Sequence, residues 1–503
     1  MRFATCVAAD FRTIYFGTTN GIGRYDFYGN SWNTPYTRSD GLESDRIRLL
    51  GYDFNSAYLW AVTEAGLSFL VPGTGQWQNL AFSQTGMGNV TSIGFGKEYA
   101  WIESSGNLSK GNRFGGPFFS SRKNEADQDE VRWTGSLVQK TGPLPNFFMD
   151  NGYLFLPAGI IQDNRLRQFK IADMLQDRFD KLWISVWGLG AAVADMKTFQ
   201  VRLLPFGLYT PEVEAMARDR NGIWIGGVRS RNVEEGGITF WEAGTDRWTY
   251  FESRYLTPLR SDDVTSIAVD GNRIWFGTED GLACFNPENQ TWKILDVFSN
   301  LWNNRVNNLS LGDSVLWVAT ESGINRVQLP SLIVDRIQDP RLSQRVIFDI
   351  AADGKDAWAG TDRGIYFYEN GKSRWDAVGG WPGTISHTVT AVAVHPEEVW
   401  FGTSDGVEVY YKKENRWEGF PAFHYPTGGR IHAIAVDDSS AWLGTEDGVL
   451  KYKKSEKRWR RFSTEDGLLH NSVRRILLDG DCVWFGTAGG LTRFYWNAPY
   501  RMD

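Results

Sequence analysis

An all-β fold built as a β-propeller is predicted for this chain of 503 residues from a recurring phrase and a fixed tryptophan spacing. The phrase is clearest as VWFGTSDG at Val399–Gly406 and returns, with changes, along the chain. Intervals of 41 or 42 residues separate six of its tryptophans, which are Trp275, Trp317, Trp358, Trp400, Trp442 and Trp484. A period of about 40–50 residues with several strands in each unit is the signature of propeller blades.

One repeat shows how four strands fit into each period. Val389–Val394 is a short apolar run that suits an innermost strand, and Val399–Thr403 is a β-branched and aromatic second strand. Asp405-Gly406 is a two-residue hairpin signal, because glycine accepts a positive φ without steric cost. Val407–Tyr411 then forms the third strand and Arg416–Phe420 the polar outer one. We therefore expect antiparallel four-stranded blades throughout.

The phrase WFGTxxGLxxYD, with a second tryptophan downstream, resembles the two-component-regulator propeller repeat. This resemblance covers nearly the whole chain. It implies a propeller of the periplasmic sensor type or an exported protein, so a periplasmic or secreted location is expected. No secretory signal is visible after Met1, so the protein is either cytoplasmic or a mature or truncated form, and the resemblance favours the second.

The repeats add up to about twelve four-stranded blades, most simply arranged as two propellers, because most rings hold four to eight. The preferred division places blades 1–6 in residues 1–258 and blades 7–12 in residues 259–503. The alternative division is 1–210 and 211–503, with five and seven blades.

Three stretches depart from the regular pattern. The region around Phe147–Phe155 lacks the phrase, so blade 4 is short or shares strands with its neighbour. Residues 167–179 carry a spacing compatible with a helix, but their place before Trp183 favours an inner strand. The charged stretch Ser120–Glu130 has no apolar pattern and is interpreted as an inserted surface loop.

Composition narrows the possible functions. The net charge of −7 argues against a general nucleic-acid-binding role, and no apolar run approaches the length of a membrane span. The three cysteines are too few and too scattered for a disulfide framework or a zinc site, and are interpreted as buried small residues. We expect neither a metal nor a cofactor.

A binding site is predicted at the channel mouth, where the loops entering the inner strands converge. Its candidate residues are Arg305, Arg345, Arg430, His387, His470, Asn304, Asp263 and Arg46. Arginine suits an anionic ligand, because its planar fork holds a carboxylate or sulfate with two hydrogen bonds. The alternative is that these arginines pair with Asp263 or with strand-end carbonyls.

The main functional hypothesis is a non-enzymatic module that binds a glycan, such as an anionic one, or a protein partner. Aromatic loop residues suited to stacking on sugars are Phe298, Trp302, Trp381, Phe423 and Tyr425. A scaffold within a larger assembly is the first alternative. A polysaccharide lyase is the second, with His387 or His470 as the base beside Arg345 or Arg430. The repeated carboxylates of TEDG and TSDG are interpreted as turn residues.

Overall fold

A computed structural model shows an almost entirely β protein whose sheets follow one another along the chain. It describes residues 2–85, 87–134, 144–149, 152–156, 158–164, 166–229, 236–245, 247–253, 258–379, 388–403, 406–421 and 430–496. These residues form eleven sheets, most of them four-stranded and antiparallel with neighbouring strands consecutive in sequence. The chain divides into two compact units, an N-terminal one (residues 1–207 and 245–248) and a C-terminal one (208–244 and 249–503).

The N-terminal unit contains four sheets. The first holds β1 (Ala4–Ala9), β2 (Thr13–Thr18), β3 (Gly21–Asp26) and β4 (Ser31–Tyr36). The second holds β5 (Ile47–Asp53), β6 (Tyr58–Thr63), β7 (Gly66–Leu70) and β8 (Trp77–Ala81). The third holds β9 (Val90–Phe95), β10 (Tyr99–Ser104), β11 (Asn107–Asn112), β12 (Phe118–Ser121) and β13 (Arg132–Thr134). The fourth holds β14 (Phe148–Met149), β15 (Leu154–Leu156), β16 (Ile160–Gln162), β17 (Gln168–Gln176), β18 (Lys181–Val186), β19 (Gly190–Asp195) and β20 (Gln200–Leu204).

The C-terminal unit contains the other seven sheets. The first two hold β21 (Ala215–Arg218), β22 (Gly222–Gly226), β23 (Ile238–Glu242), β24 (Arg247–Phe251), β25 (Val264–Asp270), β26 (Arg273–Thr278), β27 (Gly281–Asn286) and β28 (Thr291–Leu295). The next two hold β29 (Val306–Leu311), β30 (Val315–Thr320), β31 (Gly323–Gln328), β32 (Ile333–Arg336), β33 (Ile347–Asp353), β34 (Asp356–Thr361), β35 (Gly364–Glu369) and β36 (Arg374–Ala377). The last three hold β37 (Val389–Val394), β38 (Glu398–Thr403), β39 (Gly406–Tyr411), β40 (Arg416–Pro421), β41 (Ile431–Val436), β42 (Ser440–Thr445), β43 (Gly448–Lys453), β44 (Arg458–Phe462), β45 (Val473–Asp479), β46 (Cys482–Thr487) and β47 (Gly490–Tyr495).

Helical structure in the described part of the chain is confined to short segments. These are α1 (Phe82–Thr85), α2 (Lys123–Gln128) and the 3-10 turns Arg38–Asp40, Val297–Ser299 and Thr464–Asp466. Within the described residues, no helix is long and apolar enough to cross a membrane.

The inner strands of the C-terminal unit form a closed ring. Each packs against the inner strand of the next sheet, from β21 through β25, β29, β33, β37 and β41 to β45, and β45 packs against β21. A backbone hydrogen bond joins the two ends of the ring, where the amide of Val213 donates to the Thr487 carbonyl at 3.0 Å. In the N-terminal unit β1 packs on β5 and also on β17, where Asp173 accepts from the Val7 amide at 3.0 Å.

The repeated phrase is explained by packing between neighbouring sheets. Its tryptophan is buried there, and the Trp358 ring lies 5.5 Å from that of Phe401 in the next sheet. Its glycine sits against the start of the next inner strand, since a Cβ on Gly402 would lie 2.7 Å from Cγ2 of Ile431. Its threonine closes the hairpin, as where Thr278 donates to the Gly281 carbonyl at 2.8 Å. Glycine is needed at position 281, where φ is +107°.

The described residues form eleven sheets where about twelve blades were predicted, because the chain around blade 4 does not form a sheet of its own. Its strands β14, β15 and β16 are only two or three residues long, and they extend the sheet of β17–β20. The observed order is β14-β20-β19-β18-β17-β16-β15, which corresponds to the shared-strand alternative. The preference for a strand over a helix at residues 167–179 is confirmed by β17 (Gln168–Gln176).

The prediction of a surface loop at Ser120–Glu130 was wrong. The stretch contains the end of β12 and the helix α2, and its charges tie it to the sheet. Lys110 pairs with Glu125 at 2.6 Å, and the Trp101 indole donates to Asp129 at 2.7 Å. Charged residues that bind neighbouring side chains give no apolar pattern, and the helix was therefore missed.

The division between the units falls at 207/208, near the alternative boundary of 210/211 and about 50 residues before the preferred one. The sheet of β21–β24 packs on β25 and on β45, so it completes the C-terminal ring. We therefore propose a domain boundary near residue 208.

Candidate functional site

The candidate site lies in the C-terminal unit at the mouth where its inner strands begin. Short loops lead into each inner strand, and the hairpins between second and third strands lie at the same end, since antiparallel strands alternate in direction. The amide of Glu321 in such a hairpin donates to the Arg305 carbonyl at 3.2 Å. Residues just before an inner strand and residues in these hairpins are therefore neighbours.

Most of the predicted arginines are paired with hairpin carboxylates. Arg305 lies 3.3 Å from Glu279 and 3.6 Å from Glu321. Arg345 lies 3.8 Å from Asp362. In the N-terminal unit, Arg46 contacts Glu64 at 3.5 Å in the same arrangement. The carboxylates of the recurring turn thus neutralise these guanidinium groups.

Arg430 is different from the other predicted arginines. Its guanidinium carbon lies 5.6 Å from the centre of the Phe348 ring, which belongs to β33 two sheets away. Among the described residues, no carboxylate lies within ion-pair distance of it. Arg430 is also exposed at the mouth. Its charge is therefore not compensated by an ion pair within the described part of the chain.

The remaining predicted residues that the structure describes have structural partners. Asp263 is 5% exposed and binds Arg229, accepting from its backbone amide at 2.7 Å and from Nη2 at 2.6 Å. Asn304 donates to Asp280 at 2.9 Å and accepts from the Val297 amide at 2.9 Å. The His470 Nδ1 accepts from the Ser472 amide at 3.0 Å.

Several predicted residues fall outside the part of the chain that the structure describes. They are His387 and three of the loop aromatics, Trp381, Phe423 and Tyr425. Of the other two aromatics, Phe298 is 94% exposed, whereas the Trp302 ring lies under the Arg336 guanidinium at 5.0 Å.

A polar group whose members are not among the eight candidate residues lies beside Arg430; we call Glu214, His432, Glu446, Ser472 and Arg474 the mouth cluster. His432 Nε2 lies 2.7 Å from Glu446 Oε1, and the Ser472 hydroxyl donates to Glu446 Oε2 at 3.0 Å. Arg474 lies 3.8 Å from Glu214. The group joins the sheets that begin at β21, β41 and β45.

Burial and the cationic neighbours set the charges of this cluster. Burial and the nearby Arg474 guanidinium lower the pKa of His432, so its imidazole is neutral at pH 7. Burial raises the pKa of Glu214, and the two guanidinium groups of Arg474 and Arg475 oppose that rise only in part. Burial also acts on Glu446, but the Ser472 and His432 contacts outweigh it, and the pKa of Glu446 is lowered.

The cluster lacks the geometry of nucleophilic catalysis. The serine hydroxyl and the imidazole bind different oxygens of one carboxylate, whereas a triad needs the hydroxyl to donate to the imidazole. The described ranges also contain no group of three His, Cys, Asp or Glu side chains placed to hold a metal ion. The mouth cluster can donate hydrogen bonds to a polar ligand and accept hydrogen bonds from it.

A cavity of about 310 Å³ lies deeper among the inner strands β29, β33, β37, β41 and β45. Arg475 lines it and donates to the carbonyls of Glu214 at 2.5 Å and Thr265 at 2.9 Å, in the next two sheets of the ring. Asp349 accepts from the Val392 amide of the next sheet at 2.6 Å. Burial raises the pKa of Asp349 to about 6, against the opposing charge of Arg475.

Three members of the mouth cluster lie farther along the chain in their repeats than the predicted set. His432 and Arg474 are the second residues of β41 and β45, and Glu214 lies immediately before β21. The available signal was a charged or polar residue inside an apolar run, as in VRRILLD at Val473–Asp479.

Comparison with known proteins gives matches in structure only. No protein-family model matches the chain, and no curated protein matches it. Among solved structures, the extracellular domain of a putative hybrid two-component system from B. thetaiotaomicron is 18% identical, with 98% of this chain and 74% of that chain covered and a TM-score of 0.49. PorZ is described as an essential bacterial surface component of the type-IX secretion system of Porphyromonas gingivalis. It is 15% identical, with 98% and 74% covered and a TM-score of 0.50.

The chain is a β-propeller protein. The predicted fold is thereby confirmed by its sheets and by the likeness to PorZ. The repeated four-stranded sheets fit the resemblance to the two-component-regulator propeller repeat at the level of fold. At 15% identity, the match to PorZ establishes the fold alone, and function depends on the site.

Proposed function

We propose that this propeller is a non-enzymatic, extracytoplasmic recognition protein that binds an anionic glycan at the mouth of its C-terminal unit. The observation that carries the proposal is the guanidinium of Arg430, which no described carboxylate neutralises while Arg305 and Arg345 are paired. A guanidinium without a counter-ion at a concave polar surface favours a ligand that brings its own negative charge. The description of PorZ as a surface component supports a place outside the cytoplasm.

The residues around Arg430 suit the rest of a sugar. The neutral imidazole of His432, the carboxylate of Glu446 and the hydroxyl of Ser472 offer both donors and acceptors for hydroxyl groups. The Phe348 ring holds the guanidinium from one side by a cation–π contact, which leaves its nitrogen edge for a uronate or sulfate. A site that binds a carboxylate or sulfate group, with contacts to hydroxyl groups beside it, suits an acidic oligosaccharide.

Calorimetric titration of the full chain with a trigalacturonate, and with neutral maltotriose for comparison, tests this proposal. Arg430→Gln is expected to weaken trigalacturonate binding about tenfold to a hundredfold, because a hydrogen bond to a charged group contributes about 1.5–3 kcal/mol. Arg345→Gln is the matched control, since its guanidinium is already paired with Asp362, and its effect is expected to stay below about threefold.

Three results would contradict the proposal. Absence of trigalacturonate binding by the wild-type chain removes the anionic ligand and favours a protein-binding scaffold. Equal losses in both variants place the anion away from Arg430. An unsaturated, ultraviolet-absorbing product in the recovered sugar would instead establish lyase chemistry.

A further inference from the structure

An exposed aromatic surface lies on the N-terminal unit. Five residues define this aromatic face, namely Phe11, Tyr28, Phe54, Phe114 and Phe179. Their exposed fractions are 65%, 60%, 56%, 60% and 45% in that order. Four of them lie in a connection between the first and second or the third and fourth strands of their sheets, and Phe179 lies in the equivalent connection between β17 and β18. Such connections share one end of an antiparallel sheet, so the five rings belong to one face of the unit.

Contacts link these rings from sheet to sheet. Phe11 meets Phe54 edge-on with ring centres 5.5 Å apart. Phe179 stacks on Phe27, the neighbour of Tyr28, at 5.1 Å. Phe114 meets the Tyr58 ring at 5.8 Å. The face is therefore a chain of touching turns and not a scatter of single side chains.

Three ion pairs are formed within this face. Arg12 pairs with Asp26 at 2.8 Å. Lys181 pairs with Asp195 at 2.6 Å, and Lys197 with Asp180 at 3.3 Å. An aromatic face whose lysines are paired with aspartates has little to attract an acidic polysaccharide or an anionic surface.

The fold does not require these aromatic residues. None of the corresponding turns in the sequence of the C-terminal unit carries one; they read, for example, Gly271-Asn272, Gly354-Lys355 and Gly480-Asp481. The same repeat thus forms with polar turns. The aromatic side chains at these positions of the N-terminal unit are exposed without being needed for its core.

We propose that the aromatic face binds the same face of a second copy of this chain. The five rings expose roughly 600 Å² of aromatic area, if each offers about 200 Å² when fully exposed. A standard interface buries about 800 Å² on each partner, and homodimer interfaces are the more apolar class, at about 65%. The rings therefore supply the apolar core that such an interface needs.

The chain's charge also favours a self-complementary contact at this face. The whole chain has a net charge of −7, so most pairings of two copies oppose like charges. At the aromatic face, Arg12 is paired with Asp26 and Lys181 with Asp195 within each copy, so these charges oppose a second copy less than unpaired ones would. In a twofold interface the same patch on each copy contacts the other, so the patch must be complementary to itself. A patch of touching rings can meet this condition.

Sedimentation velocity of the full chain tests the dimer at protein concentrations up to about 100 μM. Phe11→Ser combined with Phe54→Ser removes one pair of contacting rings, and is expected to raise the dimer dissociation constant at least about tenfold. Phe298→Ser is the control, because this residue is 94% exposed but lies in the C-terminal unit. The dissociation constant of the Phe298→Ser dimer is expected to equal that of the wild type. Added salt is expected to weaken neither dimer.

Two outcomes would overturn the proposal. A wild-type chain that stays monomeric throughout this range has no such dimer, and co-sedimentation of that monomer with phosphatidylcholine vesicles would assign the face to lipid instead. A dimer that the double variant leaves unchanged would use another surface. Circular dichroism of both variants, expected to be native because the positions are exposed, separates loss of the dimer from loss of the fold.

Discussion

Replacement of Arg113 by methionine is expected to lower the free energy of unfolding of the N-terminal unit by about 3–5 kcal/mol. Arg113 and Asp53 are 8% and 1% exposed at their side chains, and they join the second and third sheets. Arg113 Nε donates to Asp53 at 2.8 Å, and Nη1 donates to the Lys97 carbonyl at 2.7 Å. Methionine fills much of the same space but leaves the Asp53 carboxylate buried without its counter-ion. Urea denaturation at pH 7 measures the loss.

The same substitution has a defined pH dependence. Burial acts to raise the pKa of Asp53, but hydrogen bonds from Arg113 and Ser56 outweigh it, and the pKa is lowered in the wild type. Stability from a lowered carboxyl pKa is present above the unfolded pKa and is lost as the pH falls. The difference between wild type and variant should therefore shrink in acid. Arg416→Met is the control, because its partners Glu414 and Glu418 are exposed, and its cost should stay below about 1 kcal/mol. Equal costs for both would contradict a special role for the buried ion pair.

Replacement of Glu408 by leucine is expected to raise the free energy of unfolding by about 3 kcal/mol at pH 8. Glu408 is fully buried in β39, and neither carboxylate oxygen accepts a hydrogen bond from a described residue. At the same position of other sheets, Asn325 accepts from the Trp302 amide at 2.9 Å, and Leu450 is simply apolar. Leucine is therefore compatible with the repeat and removes an uncompensated polar group.

The stability gained by Glu408→Leu is expected to increase with pH. Burial raises the pKa of Glu408 to about 7 from its ordinary value of 4.5. Below pH 4.5 the Glu408 carboxyl group is protonated in both the folded and the unfolded state, so its ionisation does not affect folding. Between pH 4.5 and about 7 the unfolded state releases this proton more readily than the folded state. The free energy of unfolding of the wild type therefore falls as the pH rises. Denaturation curves at pH 4.5 and pH 8 should differ more for wild type than for Glu408→Leu. The same pH dependence in both proteins would show that Glu408 is not the source.

The sequence predicted the regular part of the fold because each phrase residue has one local task. Trp400 fills the space between sheets, Gly402 admits the next inner strand, and Thr403 closes a hairpin by donating to the Gly406 carbonyl at 3.0 Å. Local tasks of this kind repeat with the period of the chain. Where the period failed, around Phe148–Met149, sheet membership depended on distant strands such as β20, which no local pattern reports.

The candidate site was predicted only in part, for a related reason. Arg305 and Arg345 lie before inner strands, as expected, but their charge is cancelled by hairpin carboxylates some 16 or 17 residues away in sequence. The pairing of Arg474 with Glu214 spans the closure of the ring. Contacts between the two ends of a ring cannot be deduced from spacing inside one repeat. Arg430 lies at this mouth, but only the structure could show that no described carboxylate pairs with it.

Hydrogen–deuterium exchange of the full chain with and without trigalacturonate tests the central claim, anion binding at Arg430 beside the mouth cluster, most directly. We predict slower exchange at residues 430–432 and 472–475, which contain Arg430 and three members of the mouth cluster, and unchanged exchange in the N-terminal unit. We also predict that the sugar is recovered intact. Protection confined to the N-terminal unit, or no protection at a saturating concentration, would contradict binding at this mouth.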